Sequence, residues 1–241
     1  MSAILSAPFA TPPAAGGNLV LDLNPATLAL ADGAAVSSFP SSVGAYTAVQ
    51  ATGIKQPLFR ATGGPNGVAC IEFDGSNDGI TIANFVMNSH CTVMAVYKKT
   101  TASLVLKGMI VEHSNDASAS TGMWLFEDAS GGNIRRAEGS SLAPSAAGWA
   151  GMGTWGIVGL HGTGHTTLTL NGIPKSVADY TQPGLASADA TQTLNIGSRA
   201  NGASFPAAFS LARLLIWNTP LSMPSVERVI ANLKSAYNLS I

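Results

Sequence analysis

Short runs of alternating hydrophobic and polar residues, broken by Gly, Asn, Asp and Pro, recur along most of the chain. Leu19, Leu21 and Leu23 alternate around Val20 and Asp22 and stop at Asn24-Pro25, which predicts a short strand closed by a turn. The segment from there to Pro40 reads as loop, with Asp32-Gly33 marking a tight turn. Between Val68 and Ile82, two β-rich runs flank Asp74-Gly75 and Asn77-Asp78-Gly79. Those turn residues tolerate positive φ, so the pattern predicts a hairpin-like reversal. Further strands are expected over 91–98, 104–111, 123–127, 154–160, 166–170, 194–196 and 210–217. The strongest hairpin signal is Asn171-Gly172, between the run ending at Leu170 and the run 173–177.

Only the C-terminus carries a 3.6-residue period. Val226, Val229, Ile230, Leu233 and Tyr237 share one helical face, Ser222 is placed to cap it, and Pro224 falls in the first turn. About a dozen short strands followed by one helix predict an all-β fold, a two-sheet antiparallel jelly-roll sandwich with one C-terminal helix on its edge. Residues 1–17 mix Ala, Ser and Pro without a usable period and read as an extended N-terminal arm ahead of a sandwich over 18–241. No internal repeat or second composition regime divides the rest.

Composition narrows the function classes. The 241 residues are 46% hydrophobic but only 10% charged, far below the roughly 25% typical of soluble domains. Much of the surface must therefore be small and neutral. Twelve basic and 13 acidic residues give a net charge of −1, and no basic stripe appears, which excludes the electrostatic footprint of a nucleic-acid binder. No run of about 18 apolar residues predicts a spanning helix, so no membrane partner is expected. The first Lys or Arg is Lys55, so the N-terminus lacks the positive region of a secretory signal. Cys70 and Cys91 are too few for a disulfide framework and read as buried free thiols.

Three stretches, IEFDGSNDGITI at 71–82, LTLNGIP at 168–174 and the segment 194–239 that runs from LNIGS to AYNL, resemble the laminin-G-like jelly-roll branch of the concanavalin A-like lectin/glucanase superfamily. In that branch a strand ends in Phe-Asp-Gly, a central hairpin carries Asn-Gly, and an Ile-Gly strand leads to a last strand and a Leu-Ser-initiated helix. The order holds here over roughly 18–241. Fold alone leaves function open, because such domains occur in secreted enzymes, adhesins and virion proteins.

The resemblance implies where chemistry would lie. Hydrolytic members place carboxylates at alternate positions of one strand; here Glu72 and Asp74 have that spacing, but Asp74 belongs to the Phe-Asp-Gly turn and no third carboxylate follows. The expectation is no catalytic residue and no enzymatic activity. His161 and His165 are separated by Gly-Thr-Gly and imply no third ligand, so no transition-metal site is expected. Calcium is the one cofactor to consider, because loop oxygen ligands are common in the superfamily, and Asp74, Asn77 and Asp78 offer three side-chain oxygens within five residues. Sugar recognition would use aromatic faces, for which Trp124, Trp149 and Trp155 are the candidates, Trp217 being placed in the core.

Together these features lead to an expectation of a non-enzymatic structural protein, a bacteriophage virion component such as a head decoration, fibre or tail accessory protein. It would be assembled in the host cytoplasm, with virion proteins or copies of itself as partners. Ile4, Leu5 and Phe9 would anchor the uncharged arm on a neighbour. The alternative is an extracellular carbohydrate-binding module or adhesin domain that binds surface glycans, and the third reading is a polysaccharide hydrolase or lyase.

Overall fold

A computed structural model of the chain describes residues 18–87, 91–100, 108–113, 123–127, 134–138, 141–142, 153–161, 167–170, 173–176, 190–199, 202 and 204–241. The expected arm, with Ile4, Leu5 and Phe9, lies outside the described residues, as does Trp149. The strands are β1 (Leu19–Leu23), β2 (Ser38–Pro40), β3 (Thr47–Val49), β4 (Leu58–Arg60), β5 (Cys70–Asp74), β6 (Ile80–Met87), β7 (Thr92–Lys99) and β8 (Gly108–His113). They continue with β9 (Met123–Glu127), β10 (Ile134–Glu138), β11 (Ser141–Leu142), β12 (Trp155–His161), β13 (Thr167–Leu170), β14 (Ile173–Ser176), β15 (Ala190–Ile196) and β16 (Ala208–Trp217). Among the described residues the α-helix is α1 (Met223–Tyr237).

These strands form two antiparallel sheets. The first runs β14-β13-β12-β7-β16-β5-β4, with β1 also pairing β16; the second runs β11-β10-β9-β8-β15-β6-β3-β2. The expected all-β sandwich with a C-terminal helix is therefore observed. Side chains alternate as a pleated strand requires. Ile71 and Phe73 of β5, Val93, Ala95 and Tyr97 of β7, and Leu211, Leu214 and Ile216 of β16 face Ile80, Ile82, Phe85, Leu194, Ile196, Val111 and Leu125 of the second sheet across one core. Phe73 stacks on Phe209 at 4.5 Å between centroids, and Tyr97 leans on Phe209 at 5.4 Å. Gly197, at φ +89°, lets the backbone pass this cluster, since a Cβ there would lie 2.2 Å from the Phe73 ring.

Two expectations change in detail. The reversal after β5 is not a hairpin: β5 pairs β4 and β16 in the first sheet, whereas β6 pairs β3 and β15 in the second. The five residues 75–79 carry the chain from one sheet to the other, about 10 Å apart in such packings. The helix lies not along an edge but on the outer face of the first sheet. There Val226, Val229, Ile230, Leu233 and Tyr237 meet Met94, Val96, Ile157, Ala212, Leu215 and Trp217, the outward residues of β7, β12 and β16. The large apolar outer face of that sheet explains the choice, because it would otherwise be left in water. The 170–173 hairpin is as expected, with Leu170 opposite Ile173. Cys70 and Cys91 are both buried free thiols.

A buried ion pair joins the ends of the described chain. Arg213 Nε and Nη2 donate to Asp22 Oδ1 and Oδ2, each at 2.8 Å, and Ser42 Oγ also donates to Asp22. Tyr237 of the last helical turn donates from its hydroxyl to the Ala212 carbonyl at 3.1 Å. Helix α1 stops at Asn238, which adopts φ 50° and returns its backbone N–H to Lys234 and Ser235. No helix among the described residues is long and apolar enough to cross a membrane.

Candidate functional site

Helix α1 leaves part of the first sheet's outer face uncovered. One row of outward positions beyond the helix-covered patch runs across adjacent strands in register: Glu72 of β5 opposite Ser210 of β16, Ser210 opposite Lys98 of β7, and Lys98 opposite Trp155 of β12. Arg60 of β4 flanks the row at the Glu72 end, and Asp74 lies two residues further along β5 on the same face. Four strands at about 4.8 Å spacing make this row about 14 Å long. Local sequence explains why polar residues sit there. Ile71 and Phe73 on β5 and Val93, Ala95 and Tyr97 on β7 take the inward positions, so the pleat sends Glu72, Asp74 and Lys98 outward.

The row is chemically mixed. Arg60 Nε donates to Glu72 Oε2 at 2.5 Å, with 35% and 39% of the two side chains exposed. Hydrogen bonding and charge from Glu72 push the Arg60 guanidinium pKa further up. Lys98 Nζ sits 5.0 Å from the centroid of the Trp155 ring, within cation–π range. Trp155 is half-buried, one edge against the helix-covered cluster. Beneath the row, burial pushes the Cys70 thiol up to about 11, which leaves it an inert packing group. A half-buried aromatic ring with a cation over it and a carboxylate and a guanidinium further along is a surface with both a stacking face and polar groups that could hold sugar hydroxyls; Ser210 between Lys98 and Glu72 is itself buried.

The other expected residues fall as follows. Asp74 Oδ1 accepts from the backbone N–H of Ser76 at 2.7 Å and of Asn77 at 3.3 Å, closing an Asx turn. Asp78 Oδ2 accepts from Asp74 N at 2.9 Å, and Asn77 Oδ1 is buried without a hydrogen-bond partner. Burial pushes the Asp78 carboxyl up to about 6, against the opposing pull of the Asp74 N–H. Two of the candidate calcium ligands thus spend an oxygen on the turn's own backbone. Among the described residues no three His, Cys, Asp or Glu side chains assemble where a metal ion could be held. Trp217 is buried, as expected. Trp124 is placed by register opposite Glu112, in the second sheet and far from Trp155 in strand order. Glu112 is itself buried and accepts from Arg199 Nε at 2.7 Å, while Arg199 lies 4.8 Å from the Phe205 ring centroid. The sequence thus offered Trp155 as a sugar platform, read Glu72 as solvated and Asp74 as a turn residue and calcium candidate, and gave no signal for Arg60, Lys98 or Ser210. No local motif could have supplied them, because the row draws one residue from each of several strands distant in sequence.

No protein-family model and no curated protein matches the chain. Among solved structures the fold is similar to Trypanosoma rangeli sialidase in complex with sialic acid, at 14% identity and TM-score 0.62 over 91% of this chain. The chain spans about a third of that enzyme's length, 33%. It is similar also to Domain 4 of AbnA, a GH43 extracellular arabinanase from Geobacillus stearothermophilus, in complex with arabinotriose: 12% identity, TM-score 0.61, 89% of this chain and 98% of that one. A GH54 α-l-arabinofuranosidase matches at 12% identity and TM-score 0.59, over 84% of this chain and 51% of that one. At such identities the likeness shows the fold alone, a two-sheet β-sandwich.

This finding corrects two expectations. The expectation of a non-enzymatic bacteriophage virion component, and with it that of no enzyme, is overturned by this comparison, in which the structures of similar fold are a sialidase, an arabinanase domain and an arabinofuranosidase. The physical cause of the error is plain. Low charge, small surface residues and an uncharged first segment describe a neutral surface, and a neutral surface suits a polysaccharide as well as it suits a particle.

Proposed function

We propose that this chain is a glycan-recognising sandwich of a carbohydrate-active enzyme, of the laminin-G-like branch, and that it binds saccharide over Trp155, Lys98, Glu72 and Arg60. The carrying observation is the row itself: the half-buried Trp155 ring, Lys98 and Glu72 lie in one register line across the sheet, with the buried Ser210 between Lys98 and Glu72 and with Arg60 paired to Glu72 from one step further along β4. The fold's likeness to a whole arabinanase domain solved with arabinotriose supports the reading, as does that to the sialidase solved with sialic acid.

Binding is tested by titration calorimetry against arabinan, galactan, xylan and sialylated oligosaccharides. Trp155→Ala should weaken the best ligand at least tenfold while leaving the melting temperature within a few degrees. Equal binding by Trp155→Ala and wild type would refute the site.

A second reading, hydrolysis on the same face, is favoured by one observation: Glu72 and Asp74 sit at alternate positions of β5 and both face outward. Two carboxylates on one face of a strand is the arrangement that glycoside hydrolysis uses. Release of reducing sugar from the same panel, lost on Glu72→Gln, would support it; a wild-type protein that binds without releasing sugar would refute it.

A further inference from the structure

The charges along the proposed row are unequally matched. Arg60 and Glu72 satisfy each other, and Asp74 serves the backbone of its own turn. Lys98 is different: among the described residues it pairs with no carboxylate, and its contact is the face of the Trp155 ring. An ammonium parked on the ring occupies the surface on which a sugar would stack. A neutral saccharide must displace it and return only van der Waals contact for the lost cation–π attraction. A saccharide bearing a carboxylate gives the displaced ammonium a charge-assisted hydrogen bond instead.

We propose that the face selects acidic saccharides, those carrying a uronate or sialate carboxylate, with Lys98 as the specificity-determining residue. This rests on the glycan-binding reading of the row. In the bound state the Lys98 Nζ swings from the Trp155 ring to the sugar carboxylate, and the ring stacks on the sugar. Lys98 and Trp155 lie on neighbouring strands opposite each other, so a side chain of four methylenes covers either position without backbone movement. Arg60 is held by Glu72 and does not compete for the ligand's charge.

The test uses matched acid and neutral probes: trigalacturonate against its methyl ester, and sialyllactose against lactose, titrated into wild type, Lys98→Gln, Lys98→Arg and Trp155→Ala. In at least one pair, wild type should bind the acid about tenfold more tightly than its neutral partner. Rising salt should shrink that preference, Lys98→Gln should abolish it, and Lys98→Arg should keep it. Equal affinity within both pairs, or a preference that survives in Lys98→Gln, overturns the selectivity; if Trp155→Ala still abolishes binding in that case, the glycan face itself stands. Failure of wild type to bind any of the four probes overturns the selectivity, and overturns the glycan face too if arabinan, galactan and xylan also fail to bind; full binding by Trp155→Ala overturns both. Circular dichroism of each variant, unchanged in the expected case, separates loss of binding from loss of fold.

Discussion

Removing the carboxylate of Asp22 tests how the sandwich carries a buried charge. Asp22 and Arg213 are 1% and 2% exposed and meet through two 2.8 Å hydrogen bonds. They lie 191 residues apart, one on β1 and the other on β16. Two ions taken from water lose several kcal/mol of hydration each, and the bidentate geometry offsets that loss only while both are present. Asp22→Ala therefore strands the Arg213 guanidinium and should cost about 3–5 kcal/mol. The Ser42 hydroxyl loses its acceptor as well, which places the estimate toward the upper end. The double variant Asp22→Leu/Arg213→Met removes both charges and should recover most of the loss, because a well-packed apolar pair replaces the ions at similar volume. Urea denaturation followed by tryptophan fluorescence reads the difference. With a slope of about 2–3 kcal/mol per molar, the single variant should shift the midpoint down by about 1–2 M. A single variant within about 1 kcal/mol of wild type, or a double variant as unstable as the single one, would refute the reasoning.

Asp78 predicts a pH dependence of the opposite sign to an ordinary salt-bridged carboxylate. Its folded pKa, pushed up to about 6 by burial, exceeds the unfolded value near 4, so the folded state binds more protons between these limits. Its contribution to stability is then greatest below pH 4, falls as pH rises to 6, and costs about 2–3 kcal/mol above that. Asp78→Asn, whose amide oxygen still accepts from Asp74 N, should melt several degrees above wild type at pH 7 in chelator and level with it at pH 4; a lower melting temperature at pH 7 would count against the account. The same melts with and without calcium test the expected cation at Asp74, Asn77 and Asp78: an ion held there should stabilise wild type at pH 7 and leave Asp78→Asn unmoved. Gly197→Ala should lose about 2–4 kcal/mol, since φ +89° disfavours a side chain and the new methyl would meet the Phe73 ring; a loss below 1 kcal/mol would show that the aromatic stack shifts freely.

Much of the fold was legible in the sequence wherever an element carried its own period. The alternation of Leu19, Leu21 and Leu23 marks β1, and the 3.6-residue spacing from Val226 to Tyr237 marks α1 with the same five residues buried in the structure. Ser222 was read correctly as the residue before the helix, although its hydroxyl bonds Ser225 Oγ at 3.2 Å rather than a backbone N–H. Strands of three residues such as β2, β3 and β4 escaped, because three residues hold at most one buried side chain and show no period. The turn at 75–79 was found but its outcome was not: Asp-Gly and Asn-Asp-Gly state that the chain reverses, and whether the next strand pairs or crosses to the other sheet is decided by Ile80, Ile82 and Phe85 packing against the opposite layer.

The row on the first sheet was illegible for a related reason, and the position of the helix turns on the same point. Leu215 and Trp217 alternate with Leu214 and Ile216 in a strand with no polar face, a pattern that belongs to a strand covered on both sides. That pattern already says that something must lie on the outer face, and α1 carries an apolar stripe that meets it. Where the doubly apolar pattern stops on the strands either side of β16, at Lys98 on β7 and Glu72 on β5, the side chains reach solvent, while Ser210 between them stays buried. The boundary between covered and open surface is thus written across strands distant in sequence. Only the register makes those residues neighbours, and the open face begins where the register aligns them.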